Sequence, residues 1–138
     1  MGIKVNDIKK AQERLAGHVA EGCSPGERTD VNITEESIMA GLSCGEVSTL
    51  AWTIIRPSVK HFVTMNDDLI APTMRLLAGN EEHITAGESA VASLAALLAA
   101  SQQCSLWNDL GLNEDSVVLT LGTEGATDPD MYRELIRG

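Results

Sequence analysis

Three short segments of the chain combine glycine with a hydroxyl or thiol and a carboxylate. They are Gly41-Leu-Ser-Cys-Gly-Glu46, Gly87-Glu-Ser89 and Gly122-Thr-Glu-Gly-Ala-Thr-Asp128. Glycine lets a backbone come close to a ligand, a hydroxyl can bond a ring nitrogen, and a carboxylate can carry a proton. In open α/β sheets, loops of this kind gather outside the carboxyl ends of the strands. The plainer alternative is that all three are ordinary turns, with Ser89 and Asp128 as helix caps. Spacing alone favours the turns.

Several sharper chemistries fail on the residues themselves. A phosphate cradle at a helix start would meet Glu124, Asp128 and Asp130 at the last helix and Glu88 at the apolar helix that follows it, and negative charge repels an anion. No G-x-G-x-x-G or G-x-x-x-x-G-K-[ST] occurs. Cys44 has no neighbouring cation or sequence-adjacent histidine to lower its pKa, so a buried, inert thiol is expected. Glu46 and Glu124 could act as an acid/base pair if they converged. The lysines are Lys4, Lys9, Lys10 and Lys60, the first three on the polar side of a predicted helix. Cys23, Cys44 and Cys104 lie far apart, as do His18, His61 and His83, so neither a zinc site nor a disulfide framework is expected. None of these sets is a complete active site, and no catalytic or metal-binding residue is assigned.

The elements that must position the three segments follow from apolar spacing and breakers. Asn6 and Asp7 can cap a helix carrying Ile8, Ala11, Leu15 and Val19 on one side, stopped by Gly22 and Ser24-Pro-Gly26. Val47, Leu50, Ala51, Ile54 and Ile55 make an amphipathic helix face that Pro57 should end. His61–Met65 is a short strand candidate. Asn66-Asp-Asp68 then caps a helix through Leu77, closed by Gly79. Pro72 inside it predicts a kink or a delayed start, because an interior proline costs roughly 3 kcal/mol against alanine. Ile84–Ala86 is briefly extended, and residues 89–100 form a helix that is apolar all round and so calls for burial all round. A short helix over Ser105–Leu110 stops at Gly111. Val117–Leu121 reads as a strand covered on both faces. Asp128-Pro-Asp130 starts the last helix, which Met131, Tyr132, Leu135 and Ile136 dock.

Strands alternating with helices predict an α/β domain with a small, mostly parallel sheet and helices packed on it. Three or four strands are few for a sheet needing cover on both faces, which implies that part of the fold lies elsewhere. The 138 residues are 43% hydrophobic and carry a net charge of −10. That charge argues against nucleic acid or an anionic membrane as a partner. No run approaches the roughly 20 apolar residues of a membrane span, and the N-terminus lacks a signal-peptide core. A reduced, cytoplasmic setting is the expectation.

Four collinear motifs carry a family resemblance. They are Ser37–Glu46, Val63–Leu77, Gly87–Leu97, and Leu119–Asp130 with the following Tyr132-Arg-Glu-Leu135. Their order and spacing resemble the C-terminal third of the diaminopropionate ammonia-lyase family, pyridoxal-phosphate enzymes of tryptophan synthase β and threonine dehydratase type. The resemblance covers roughly residues 33–138. It implies an α/β segment of a larger two-domain fold with the cofactor between the domains, and elimination of both amino groups of 2,3-diaminopropionate to give pyruvate and ammonia. Residues 1–32 then form an N-terminal helix and loop whose origin the motifs do not assign.

By resemblance, Thr123 is the hydroxyl that meets the pyridine nitrogen, and Glu88 and Ser89 abut the cofactor. Position 90 is Ala where the family has Gly, and Pro72 is a second departure. The Schiff-base lysine and glycine-rich phosphate loop, which the family takes from its N-terminal two thirds, have no match here. The implied function is therefore a C-terminal fragment or truncated homologue, inactive alone and binding no pyridoxal phosphate by itself. The implied partner is a second copy or a complementary N-terminal half. The alternative is a non-catalytic interaction module or half of a split enzyme.

Overall fold

A computed structural model describes residues 32–59, 61, 63 and 65–137. The predicted helix over residues 8–19, Cys23, His18, the four lysines and the division of the chain at residue 32 lie outside the described residues. Five α-helices follow in order: α1 (Thr49–Ser58), α2 (Ile70–Gly79), α3 (Ala92–Ser101), α4 (Cys104–Asp109) and α5 (Pro129–Arg137). Single 3-10 turns at Ala40–Leu42 and Asp67–Leu69 precede α1 and α2.

The core is built where α2, α3 and α5 meet. Ile70 and Met74 from α2, Ala95 from α3, and Val91 and Met39 from the loops are buried together. Tyr132, Leu135 and Ile136 of α5 pack against them. Arg75 Nε donates to the Leu135 carbonyl at 2.9 Å, tying the end of α5 to α2. A smaller cluster joins Ala100 to Leu106, with Trp107 and Leu110 beside them.

Local chemistry explains the boundaries. The α2 helix starts at Ile70, after the 3-10 turn, so Pro72 falls in its first turn. An N–H there has no intrahelical partner, and proline loses nothing by lacking one. Pro57, expected to end α1, lies inside it, and the helix runs one residue further to Ser58. Asp128 caps α5 by accepting from the N–H groups of Asp130 and Met131, both at 3.0 Å, with Pro129 at the first helical position. Gly111 closes α4 at φ 70°, a left-handed conformation that glycine adopts without strain. Asp67 accepts from the Ser37 hydroxyl (2.8 Å) and the Ile38 N–H (2.9 Å), which delivers the neighbouring Met39 to the core.

The small parallel sheet expected from the sequence is absent among the described residues, none of which is a strand. A strand exists only as part of a ladder, and no described segment supplies a neighbour for Val117–Leu121. Val117, Leu119 and Leu121 are 98, 84 and 75% exposed. The burial expected all round residues 89–100 is also partial: Ala95, Ala99 and Ala100 are buried, while Leu94, Leu97 and Leu98 are half-buried. On α1, Leu50 and Ile54 of the predicted apolar face stay exposed, Leu50 by 76%. Apolar surface is thus left uncovered by the described residues.

This division predicts two very different substitutions. Met74→Ala should cost about 2–5 kcal/mol, as for other buried long side chains. Leu50→Ala should stay within about 0.5 kcal/mol in the chain alone. Urea unfolding of the two variants checks both.

Candidate functional site

Glycine contacts bring the three chemistry-bearing segments to one junction. A Cβ at Gly41 would lie 3.0 Å from Ser89 Oγ. One at Gly122 would lie 3.1 Å from the Ala90 carbonyl oxygen, and one at Gly87 only 2.4 Å from that of Gly125. The turn at 87–90, leading into α3, is therefore packed between the 41 region and the 122–127 loop. The facing loop comes close to the Ala90 backbone at Gly122, which has no side chain to hold it off.

Hydrogen bonds fasten the junction. The Gly87 N–H donates to the Glu124 carbonyl at 3.1 Å. The Ser89 N–H donates to Glu124 Oε2 at 3.2 Å, and the Thr127 hydroxyl donates to Glu124 Oε1 at 3.0 Å. Glu124 thus serves as an acceptor within the junction. Glu46, its suggested acid/base companion, is exposed.

The three residues assigned by resemblance are placed as follows. Glu88 is buried. Ser89 is half-buried, and its Oγ atom is buried with no hydrogen-bond partner among the described residues. Thr123 is exposed, between Gly122 and Glu124, both of which touch the 87–90 turn. The link between the Thr123 loop and Ser89 runs through the Glu124 carboxylate. Sequence reasoning missed that link, which spans 35 residues; its one local signal was the spacing of Glu124 and Thr127, three apart in a turn.

Other candidates resolve as structure. Asp128 occupies the N-terminal N–H groups of α5, so that helix start offers no free anion site. Cys44, expected to be buried, is exposed and free, as is Cys104. Among the described residues no three His, Cys, Asp or Glu side chains gather as metal ligands.

A junction of glycine turns with one presented hydroxyl and one orphaned hydroxyl suits the edge of a cofactor pocket. The sequence profile of the pyridoxal-phosphate dependent enzymes matches residues 7–123, and the chain belongs to that family. Within it, the chain is 40% identical over 117 residues to diaminopropionate ammonia-lyase of Escherichia coli K12, covering 80% of this chain and 29% of that protein. It is 36% identical over 107 residues to the Salmonella typhimurium LT2 enzyme, covering 72% and 26%.

Crystal structures agree. Escherichia coli diaminopropionate ammonia lyase in complex with D-serine superposes with a TM-score of 0.70 at 34% identity, over 86% of this chain and 30% of that one. The same enzyme in complex with an aminoacrylate-PLP azomethine reaction intermediate gives 0.70 at 35%, over 86% and 31%. The chain therefore spans under a third of the length of the relatives it matches.

The glycine contacts differ in a way that mutation can read. Gly87→Ala must displace the Gly125 backbone, and should cost about 1–3 kcal/mol as an overpacked site does. Gly79→Ala at the end of α2 meets nothing within 4 Å, and should be neutral or stabilising by up to about 1 kcal/mol. Thermal unfolding with amide spectra of residues 122–127 distinguishes them.

Proposed function

We propose that this chain is the C-terminal portion of a diaminopropionate ammonia-lyase-like enzyme and forms one wall of its pyridoxal phosphate pocket. The observation that carries this is the junction itself, which presents an exposed Thr123 on an anchored loop beside the unpartnered Ser89 hydroxyl. Those residues fit one edge of the cofactor. Thr123 would offer the pyridine nitrogen a neutral hydroxyl partner, and Glu88 and Ser89 would flank the ring. When bound, pyridoxal phosphate supplies the electron sink for elimination from an amino-acid carbon. The 122–127 loop would orient the ring and close one side of the pocket to water.

The remaining parts of such a site are not in this sequence, which has no glycine-rich phosphate loop and four lysines, none in an apolar run. In our reading the chain is inactive alone and works with a complementary polypeptide that carries the lysine and the loop. The bare apolar surfaces support this: Val117, Leu119 and Leu121 on one segment, Leu50 and Ile54 on α1. An apolar groove of about 720 Å³ takes in part of the first segment, lined by Met39, Met65, Ala96, Leu97, Val118 and Leu119 among others. With neighbouring strands supplied, Val117–Leu121 would pair into the mostly parallel sheet that its sequence suits. The free, exposed Cys44 and Cys104 suit a reducing cytoplasm. The same surfaces favour the second reading, a non-catalytic module that binds a partner.

The test mixes the purified chain with pyridoxal phosphate and 2,3-diaminopropionate and follows pyruvate. The chain alone should give no pyruvate above the enzyme-free blank and no visible absorbance from lysine-bound cofactor. Co-expression with a neighbouring reading frame that encodes the lysine and glycine-rich loop should restore both. Turnover by the chain alone would overturn the proposal of inactivity. A stable complex that never binds the cofactor would favour the non-catalytic module.

A further inference from the structure

Glu124 has a role that neither proton transfer nor simple turn formation describes. Three acceptor atoms of this one residue are engaged across the junction: the main-chain oxygen by the Gly87 N–H, Oε2 by the Ser89 N–H, and Oε1 by the Thr127 hydroxyl. Its side chain is also wedged, since a Cβ at Gly87 would lie 3.0 Å from Glu124 Cγ and 3.2 Å from Cδ. On the other side of Thr123, Gly122 sits against the Ala90 carbonyl. Thr123 is therefore an exposed residue whose neighbours on both sides are fixed to the same turn.

We infer that Glu124 is a positioning residue. Its carboxylate latches the 122–127 loop onto the 87–90 turn, and so sets where the Thr123 hydroxyl points before any ligand arrives. A carboxylate suits the task because one side chain can accept from two separate donors, a backbone N–H on one segment and a hydroxyl on the other. Both donors converge on it. The inference rests on the reading that Thr123 faces the cofactor ring, but the latch can be measured without a cofactor.

Amide hydrogen exchange at Gly87 and Ser89, with methyl relaxation of Thr123, in the isotope-labelled 138-residue chain provides that measurement. In Glu124→Ala, exchange at Ser89 should rise roughly tenfold or more, as when a charge-assisted hydrogen bond is lost. Exchange at Gly87, whose N–H keeps the main-chain carbonyl of residue 124 as its acceptor, should rise with it as the freed loop opens. The Thr123 methyl should become mobile on the ps–ns timescale. In Glu124→Gln, the amide oxygen can keep the Ser89 N–H and the amino group can donate to the Thr127 hydroxyl, so protection should stay within about threefold of the parent. Exchange at Met74 in the core should not change in either variant, which separates a local latch from general loosening. Should Glu124→Ala fail to fold, Thr127→Val, at an exposed position, removes one partner and should raise Ser89 exchange by roughly threefold.

Unchanged protection at Gly87 and Ser89 in Glu124→Ala, or in Thr127→Val where that variant stands in, would overturn the latch. So would a Thr123 methyl that stays rigid while those amides open, or a Glu124→Gln variant no better than Glu124→Ala. None of these outcomes touches the pocket assignment, which stands or falls with the pyruvate assay.

Discussion

The 87–90 turn and the 122–127 loop are held so close that position 87 has no room for a side chain. A Cβ there would sit 2.4 Å from the Gly125 carbonyl oxygen, well inside van der Waals contact. Much of the site's shape follows from that approach. It brings the Gly87 N–H within bonding distance of the Glu124 carbonyl and sets the Glu124 carboxylate beside the Ser89 N–H. It also aligns the start of α3 with the loop that leads into α5. Because α3 and α5 both pack on α2, the site and the core brace one another.

What the sequence discloses of this arrangement depends on range. Asp128 and Pro129 announce the start of α5 because cap and first-turn chemistry act within three residues. Pro72 announces a kink or a delayed start for the same local reason, and the start is the one delayed; Gly111 announces a stop, which it makes in the left-handed region. The three glycine-bearing segments were recognisable one by one, and their meeting follows the general habit of α/β loops. Their fastening was not legible. Ser37 to Asp67 spans 30 residues and Ser89 to Glu124 spans 35, and no local pattern encodes such a pairing.

The expected sheet is not formed among the described residues for a related reason. The run Val117–Leu121 encodes a need for cover on both faces, but it does not encode who covers it. Alternation and apolar content report burial in a finished fold, while the strand itself forms only through hydrogen bonds to neighbours. Leu50 and Ile54 on α1 show the same thing in helical form. A helix closes its own hydrogen bonds, so α1 exists with its apolar face bare, whereas Val117–Leu121 does not become a strand. The mismatch between pattern and burial is what a segment under a third of the length of its relatives should show.

The contacts made in the chain and the contacts left open differ in kind, and that difference bears on assembly. Within the chain lie the glycine approaches, the Glu124 bonds, the Asp67 tether and the α2–α3–α5 core, all closed by its own described residues. Left open are the sheet neighbours of Val117–Leu121 and the cover for Leu50 and Ile54. A loop that the Glu124 and Gly87 bonds already hold has met the entropic cost of its ordering within the chain. The exposed side chains of Val117, Leu119, Leu121, Leu50 and Ile54 are apolar, and bare apolar surface of this kind favours burial without directing it. Geometry at the junction and bare apolar surface thus lie on different residues. The first can be tuned at Gly87, Thr123 and Glu124 without altering the second.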